Sequence, residues 1–375
     1  MLTPDEKQRY SRHISLPEIG EVGQIKIKNA QVLVIGAGGL GCPVLLYLSA
    51  AGVGTLGVLD FDKVEISNLQ RQLLYTTTQI GMSKVQCAAT AIATINPFIK
   101  VIQHDVQISN QNALLLISDY DIVVDGTDNF TTRYLINDAC FLLKKPLVYG
   151  AVHKFEGQVT VFHLKQASAS YRSIYPHPPD PKTSPNCVES GVLGVLPGII
   201  GSLQATEVLK IITGTGKPLD GEILHYNSLN QSMYKIQIPT DLDKLKQMQP
   251  SEKEFLEYDY GFGCQPLSIE KNYIVSAYEL FNQPDKFRII DIRELKEQPK
   301  LTTFSVEFWP LSTQNMRPVR FDNRPTLIIC QTGMRSKTFV SNVLQINPHV
   351  DLYTLDGGVK SWILFEEKQG TDQIL

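Results

Sequence analysis

Residues 31–35, QVLVI, are apolar without interruption and run into glycines, the pattern of a strand covered on both faces. The next segment, Gly39 to Ala51, suits a helix. LGVLD (56–60) reads as a second strand, followed by a helical stretch near 82–95. KVIQHD (100–105), DIVVD (121–125) and PLVYG (146–150) read as further strands, with helical segments at 109–117 and 129–143 between them. Strand and helix alternating in this way predict an α/β doubly wound parallel sheet. QVTVF (158–162) is a sixth strand with no helix before it.

The pattern then changes. Residues 165–190 hold several Ser and Pro without a period, so a long loop is expected there. A helix follows at 195–213, and strand-like pieces within 222–238 close the first domain. Residues 241–266 are charged, with Gly261 and Gly263 near the end, and read as a linker. A second, smaller α/β unit starts near Ile269, with strands RIIDI (288–292) and TLIIC (326–330) and a helix after Arg335. The expected division is a domain at 1–243, a linker at 244–266 and a domain at 267–375. No long internal repeat is visible.

Composition narrows the class. A chain of 375 residues suits two or three domains at roughly 100–200 residues each. The net charge, 35 − 38 = −3, comes without a run of Lys or Arg, so neither nucleic acid nor an anionic membrane is an expected partner. Met1 to His13 is charged and polar, unlike a secretory leader. The most apolar region, Ser190 to Leu203, is Gly-rich and shorter than the roughly 20 residues of a membrane span. A cytoplasmic location is expected. Of the six cysteines (Cys42, Cys87, Cys140, Cys187, Cys264 and Cys330), no two have C-x-x-C spacing. A disulfide framework is not expected, and most of them should be small buried apolar groups.

Gly36-Ala37-Gly38-Gly39-Leu40-Gly41 fits G-x-G-x-x-G between a strand and a helix, and Asp60 ends the second strand. Glycines let the backbone approach a phosphate, the helix N-terminus attracts it, and the acid holds ribose hydroxyls. A tight turn without a ligand is the plainer alternative. The motif alone favours a dinucleotide. Arg71, in Asn68-Leu69-Gln70-Arg71-Gln72, and Lys84 argue for another ligand, because both come from the same sheet edge as the glycine loop. Two fixed cations suit a triphosphate attacked at its α-phosphorus, where charge develops on oxygen. Either cation alone reads as a solvated charge. Gly126-Thr127-Asp128-Asn129 follows the fourth strand. Asp128 suits Mg²⁺, a hard cation, and a helix N-cap at Asp128 is the alternative.

The strings RYSRH (9–13), GAGGLGCP (36–43), LDFDKVEISNLQRQLLY (59–75), DGTDNFTTRYLIND (125–138), EGQVTVF (156–162) and CVESGVLGVLPGIIGSLQATEVLK (187–210) resemble the MoeB/ThiF family, relatives of the ubiquitin-activating enzymes. The likeness covers about residues 1–240. It implies a Rossmann-like adenylating domain with a mixed sheet. It also implies ATP and Mg²⁺ bound by Gly39, Asp60, Asn68, Arg71, Lys84 and Asp128. Gly36, Gly38, Gly41, Asp62 and Asn129 belong to the same expected set. Arg12 would reach the other subunit's ATP, which implies a homodimer. The implied chemistry is attack by the C-terminal Gly-Gly carboxylate of a ubiquitin-like sulfur carrier on the α-phosphorus. An acyl adenylate and pyrophosphate result, with Arg12, Arg71 and Lys84 neutralising charge.

Many relatives hold a structural zinc with two C-x-x-C pairs. The first pair would fall on Ser170-Tyr171-Arg172-Ser173, and no Cys occurs at 240–250, where the second would lie. Ser hydroxyls are poor zinc ligands, so no structural zinc is expected. Cys187 matches a position where relatives form a persulfide or a covalent link to the carrier. A helix N-terminus would support its thiolate, and an unreactive loop thiol is the alternative.

In the second domain, Cys330-Gln331-Thr332-Gly333-Met334-Arg335-Ser336 follows TLIIC. A Cys at a strand end, a Gly-containing loop and a helix form a cradle of N–H groups that stabilises a thiolate or an anion. The loop resembles that of the rhodanese family, with Ile290-Asp291-Ile292-Arg293 and Leu355-Asp356-Gly357-Gly358-Val359-Lys360-Ser361-Trp362 as flanking motifs. The stretch 294–315 lacks that family's Gly-His-Ile-Pro-Gly-like segment, and an inactive fold kept for binding is the alternative. Cys330 and Arg335 would take persulfide sulfur from a donor such as a cysteine desulfurase and pass it on as a thiocarboxylate. Molybdenum-cofactor, thiamine and tRNA-thiolation pathways all fit. Two other readings stand beside this one: an NAD-dependent dehydrogenase, which lacks an evident catalytic His or Lys, and a silent carrier-binding module.

Overall fold

The computed structural model describes residues 1–165, 168–176, 191–239, 249–258, 260, 273–301, 303–310, 324–346 and 350–372. The chain divides into two compact units, Met1–Tyr260 and Gly261–Leu375.

The first unit opens with α1 (Pro4–Arg9), α2 (Ser11–Ile14) and α3 (Gly20–Asn29). Then β1 (Gln31–Ile35), α4 (Gly41–Ala51), β2 (Thr55–Leu59), α5 (Lys84–Ile95), β3 (Lys100–His104), α6 (Ala113–Ser118), β4 (Ile122–Asp125), α7 (Phe130–Leu143) and β5 (Leu147–His153) alternate. They are followed by β6 (Glu156–Phe162), α8 (Tyr171–Ile174), α9 (Val195–Thr213), β7 (Glu222–Asn227), β8 (Ser232–Gln237) and α10 (Glu252–Glu257). The strands form one sheet in the order β3-β2-β1-β4-β5-β6-β7-β8. The pairs from β3 to β5 are parallel. Those from β5 to β8 are antiparallel, so the sheet is mixed. All four residues of β4, and all of β1 and β2 after their first, are buried, as the unbroken apolar runs require for strands covered on both faces.

Topology places the site. The chain winds from β1 outward to β2 and β3, then returns to β4 on the other side of β1. The connections leaving β1 and β4 therefore diverge and open a crevice at their carboxyl ends. The missing helix before β6 has a local cause. Lys154, at φ +52°, turns the chain directly back, and His153 pairs with Glu156. Helix α9 is long and apolar enough to cross a membrane by length and composition alone, but it packs against α4, β5 and β6. Within the stretch expected as a linker lies α10, opened by a Ser251–Glu254 capping box. Phe255 is fully buried, and Asn110 Nδ2 donates to the Leu256 carbonyl at 2.8 Å.

In the second unit, β9 (Ile274–Val275), β10 (Arg288–Asp291), β11 (Val306–Phe308), β12 (Thr326–Ile329) and β13 (Leu352–Leu355) form a parallel sheet in the order β11-β10-β12-β13-β9. Its helices are α11 (Ala277–Asn282), α12 (Met334–Ile346) and α13 (Gly358–Asp372). Alternate residues face opposite sides, the two-residue period of a strand. Ile289, Leu327 and Ile329 pack with Trp362, while Ile290 and Ile328 pack with Cys330 and Val340.

Candidate active site

The glycine loop turns between β1 and α4 under tight steric limits. Gly36 has φ +93°, and a Cβ on Gly41 would lie 1.9 Å from the Gly36 carbonyl oxygen. Only glycine fits either position. Asp60 fastens the turn from β2. Its Oδ2 accepts the Ala37 N–H and its Oδ1 the Asp62 N–H, both at 2.8 Å. Burial holds the Asp60 carboxyl above its ordinary range against the pull of Lys84. Tyr75 donates to the Ala37 carbonyl at 2.7 Å, stiffening the same loop.

Two cations lie near this loop, Arg71 beside Gly39 and Lys84 close to Asp60. Arg71 lays its stem against Gly39. A Cβ there would meet Arg71 Cδ at 3.5 Å and Pro197 Cβ at 3.2 Å, so a small cradle separates the two side chains. Arg71 Nη1 donates to the Ser67 carbonyl at 3.0 Å. Lys84, the first residue of α5, is 5% exposed, and its Nζ meets Asp62 Oδ2 at 2.9 Å. Asp62 thereby aims the ammonium. Asn68 is mostly buried and accepts the Glu65 N–H at 3.2 Å. Arg12 lies exposed on α2, an element outside this sheet edge.

At the carboxyl end of β4, Asp125 is fully buried. Its Oδ1 accepts both the N–H and the hydroxyl of Thr127, at 2.9 and 2.7 Å. Burial raises its carboxyl above the usual range, opposed by Arg133. Arg133 donates to the Thr127 carbonyl at 3.0 Å, and Gln204 reaches from α9 to the Asp125 carbonyl at 2.8 Å. The helix cap is Asn129, whose Oδ1 accepts the Thr132 N–H at 2.9 Å. This corrects the N-cap alternative for Asp128. Asp128 is exposed, with its carboxylate one residue outside the cap.

The positions compared with zinc ligands carry a hydrogen-bonded network. Arg172 clasps Asp138 through Nε and Nη2, at 2.8 and 2.6 Å. The Tyr260 hydroxyl donates to Asp138 Oδ2 at 2.7 Å, and Gln249 donates to Ser170 Oγ at 2.9 Å. Ser170, His163 and the Tyr171 N–H all converge on Asn137 Oδ1. Cys187 lies outside the described residues.

In the second unit, Cys330 directly follows β12 and is fully buried. Helix α12 starts at Met334, inside the expected loop, so Arg335 and Ser336 belong to its first turn. The Ser336 N–H points at Cys330 Sγ at 3.4 Å, and its hydroxyl lies 3.5 Å from the same sulfur. Ser336 Oγ also meets Thr354 Oγ1 at 2.7 Å. A second segment clamps the loop, with Val359 N donating to the Cys330 carbonyl and Lys360 N to that of Gln331. Arg335 is held by Glu297, at 2.8 and 2.6 Å.

The model of the ThiF family matches residues 10–246. The chain belongs to the ThiF family. It is 39% identical over 373 residues to the probable adenylyltransferase/sulfurtransferase MoeZ of Mycobacterium tuberculosis, covering 96% of this chain and 94% of that protein. It is 46% identical over 273 residues to the sulfur carrier protein adenylyltransferase of Thermus thermophilus, covering 70% of this chain and 99% of the relative. A crystal structure of E. coli MccB with ATP aligns with a TM-score of 0.55 at 21% identity, over 64% of this chain and 73% of that one. That likeness shows the fold. By its kinship with MoeZ this ThiF-family chain is an enzyme of the adenylyltransferase/sulfurtransferase kind, not a dehydrogenase.

Within the ThiF unit, sequence reasoning missed Gln72, Asp125, Arg133 and Gln204. Gln72 is buried, its Nε2 is 3.7 Å from where a Cβ on Gly38 would stand, and its Oε1 has no hydrogen-bond partner among the described residues. A buried, unpaired amide oxygen beside a glycine cradle is a group waiting for a ligand donor. The residues present therefore fit a nucleotide.

Proposed function

We propose that this enzyme adenylates the C-terminal Gly-Gly carboxylate of a ubiquitin-like sulfur carrier and then converts it to a thiocarboxylate. The observation that carries the reading is the cradle at Gly38–Gly39, with Arg71 against it, Asp60 fastening the loop at Ala37 and Lys84 fixed close to Asp60 by Asp62. ATP is the nucleotide that uses such a pair of cations, because attack at the α-phosphorus builds charge on its oxygens.

The roles follow from position. The N–H groups of Gly38–Gly41, at the start of α4, face the phosphates. Asp60 and Asn68 receive the ribose, and Gln72 supplies a further acceptor. Arg71 and Lys84 stabilise the transition state, with Asp62 orienting Lys84. Asp128, free of capping duty, holds Mg²⁺ together with the phosphate oxygens, and Mg²⁺ supplies charge neutralisation when bound. Asn129 fixes the start of the helix that carries this loop. Arg12 completes the ATP site of a second copy in a homodimer.

Sulfur transfer needs a nucleophile. Cys330 accepts sulfur as a persulfide from a donor protein of the cysteine desulfurase class. The persulfide's terminal sulfur attacks the acyl carbon of the adenylate, a C–S bond forms, and the C–O bond to AMP breaks. A second thiol then attacks the resulting disulfide and frees the thiocarboxylate. Cys187 is our candidate for a covalent step on the carrier. The domain limits at 1–243 and 267–375, a structure without zinc and a cytoplasmic location belong to the same reading.

The test is ATP–pyrophosphate exchange with a panel of Gly-Gly-tailed carriers. Exchange that depends on one carrier, and falls about 10²–10³-fold in Arg71→Ala, is the expected result. Tight carrier binding without exchange would sink the reading and leave a binding module.

A further inference from the structure

Among the described residues, three of the four cations around Cys330 are matched by carboxylates. A backbone cradle that ends in an arginine attracts small anions, because its N–H groups and its guanidinium act together. Here that arginine is taken. Glu297, 38 residues earlier in the chain, meets Arg335 with both carboxylate oxygens, at 2.8 and 2.6 Å. The two side chains are equally sheltered, each 28% exposed, which leaves the pair less screened than one in open water. Glu297 is itself fixed by the Glu294 N–H at 2.9 Å. Paired with Arg335, its carboxyl lies below the ordinary range.

Two neighbouring cations are matched as well. Arg293, almost fully buried, is clasped by Asp291 and donates to Gln331 Oε1 of the loop itself at 2.8 Å. Lys337, in the first turn of α12, pairs with Asp356 at 3.0 Å. Lys360 is exposed on α13. The loop residues Gln331, Thr332, Gly333 and Met334 carry no charge.

We propose that Glu297 sets the donor specificity of Cys330: by occupying Arg335 it makes the site reject small dianionic sulfane donors and accept persulfides, which bring at most one negative charge. The proposal rests on the reading of Cys330 as the sulfur acceptor and deepens it. Both donors undergo the same step. The Cys330 thiolate attacks the outer sulfur, the new Cys330 S–S bond forms, and the donor's S–S bond breaks with its electron pair. A persulfide R–S–SH leaves as a thiolate. Thiosulfate leaves as sulfite, and it must bring two negative charges against Glu297. Glu297 acts through Arg335 and touches no reacting atom, so its effect belongs in KM.

The experiment compares thiosulfate with N-acetylcysteamine persulfide, whose only ionisable group is the persulfide itself, on the full chain. Sulfur loading is read as a 32 Da gain (about one sulfur atom) that is absent in Cys330→Ser. Glu297→Gln keeps the size and one acceptor oxygen. It is expected to raise kcat/KM for thiosulfate by about tenfold, mostly through KM, and to change that for the persulfide, with at most one charge, by about threefold or less. Glu297→Asp, which keeps the charge, should stay close to wild type. Thiosulfate kinetics unchanged in Glu297→Gln, with persulfide loading intact, would overturn the proposal alone. Loading of Cys330 by neither donor would overturn the sulfur-acceptor reading and this proposal with it.

Discussion

Arg172 and Asp138 form a two-pronged ion pair, Nε to Oδ1 at 2.8 Å and Nη2 to Oδ2 at 2.6 Å, with Asp138 fully buried. The pair ties α8 to α7 at the positions compared with a zinc site. Tyr260 adds a third hydrogen bond from the end of the first unit. Burial, then the charge of Asp138, raises the Tyr260 phenol well above its ordinary range, so it stays a donor. Taking one partner away leaves a buried charge uncompensated. Arg172→Met should therefore cost about 3–5 kcal/mol in urea unfolding. Arg172→Met with Asp138→Leu should recover much of that, because it removes both charges. Tyr260→Phe should cost about 1–2 kcal/mol. An Arg172→Met variant as stable as wild type would refute the role.

Two glycines of one motif separate folding from binding. A methyl group on Gly41 collides with the Gly36 carbonyl at 1.9 Å, which is backbone and has no room to yield. On Gly39 it meets Pro197 at 3.2 Å and Arg71 at 3.5 Å, and the flexible Arg71 stem can shift. Gly41→Ala should lower the melting temperature sharply, by several degrees or more for about 2 kcal/mol. Gly39→Ala should stay near wild-type stability yet weaken ATP binding about tenfold by filling the cradle. Calorimetric unfolding and ATP titration of both variants check this. Equal loss of stability in the two would contradict it.

The difference between these glycines also shows what a sequence displays. The loop was legible because its constraints are local: a strand end, a helix start and the residues between. The cations were legible because they leave the same sheet edge. Gln204 was not, since it reaches Asp125 across 79 residues, and its partner is known only once α9 packs on the sheet. Glu297 was hidden for the same reason, 38 residues from Arg335. Asp128 and Asn129 are both good capping residues, and the choice depends on where the first helical turn begins. The reversal at β6 rests on the left-handed backbone of Lys154, a conformation no lysine advertises.

His163 gives the first unit an acid sensitivity of definite sign. It lies partly buried between Phe141 and Phe162 and donates from Nε2 to Asn137 at 2.9 Å. Burial depresses its pKa to about 4. The unfolded value is about 6.5. A depressed pKa contributes stability that is fully present above the unfolded value and is lost as pH falls toward the folded value. Between about pH 6.5 and 4 the protein should lose about 3 kcal/mol through this residue. Asp60 and Asp125, whose pKa values are raised, act in the opposite sense. Comparison with a variant isolates the His163 share. His163 has φ +56°, which asparagine tolerates, so His163→Asn is the suitable change. Urea midpoints should fall less steeply with acid in His163→Asn, even from a lower starting stability. Parallel curves for the two proteins would rule the residue out.

The adjacent pair Asp128 and Asn129 divides metal binding from helix capping. Asn129 closes the first turn of α7 by accepting the Thr132 N–H, so Asn129→Ala should lower stability by about 1 kcal/mol. Its Mg²⁺ requirement in ATP–pyrophosphate exchange should be unchanged. Asp128 is exposed and does no capping, so Asp128→Asn should leave the melting temperature within about 2 °C of wild type. Replacing a carboxylate by an amide removes the negative charge that a hard cation prefers. The Mg²⁺ concentration for half-maximal exchange should then rise about tenfold or more, and the maximal rate should fall. Exchange measured against Mg²⁺, together with thermal unfolding, separates the two residues. If Asp128→Asn destabilises the fold and keeps its Mg²⁺ dependence, the carboxylate is structural and the metal is held elsewhere.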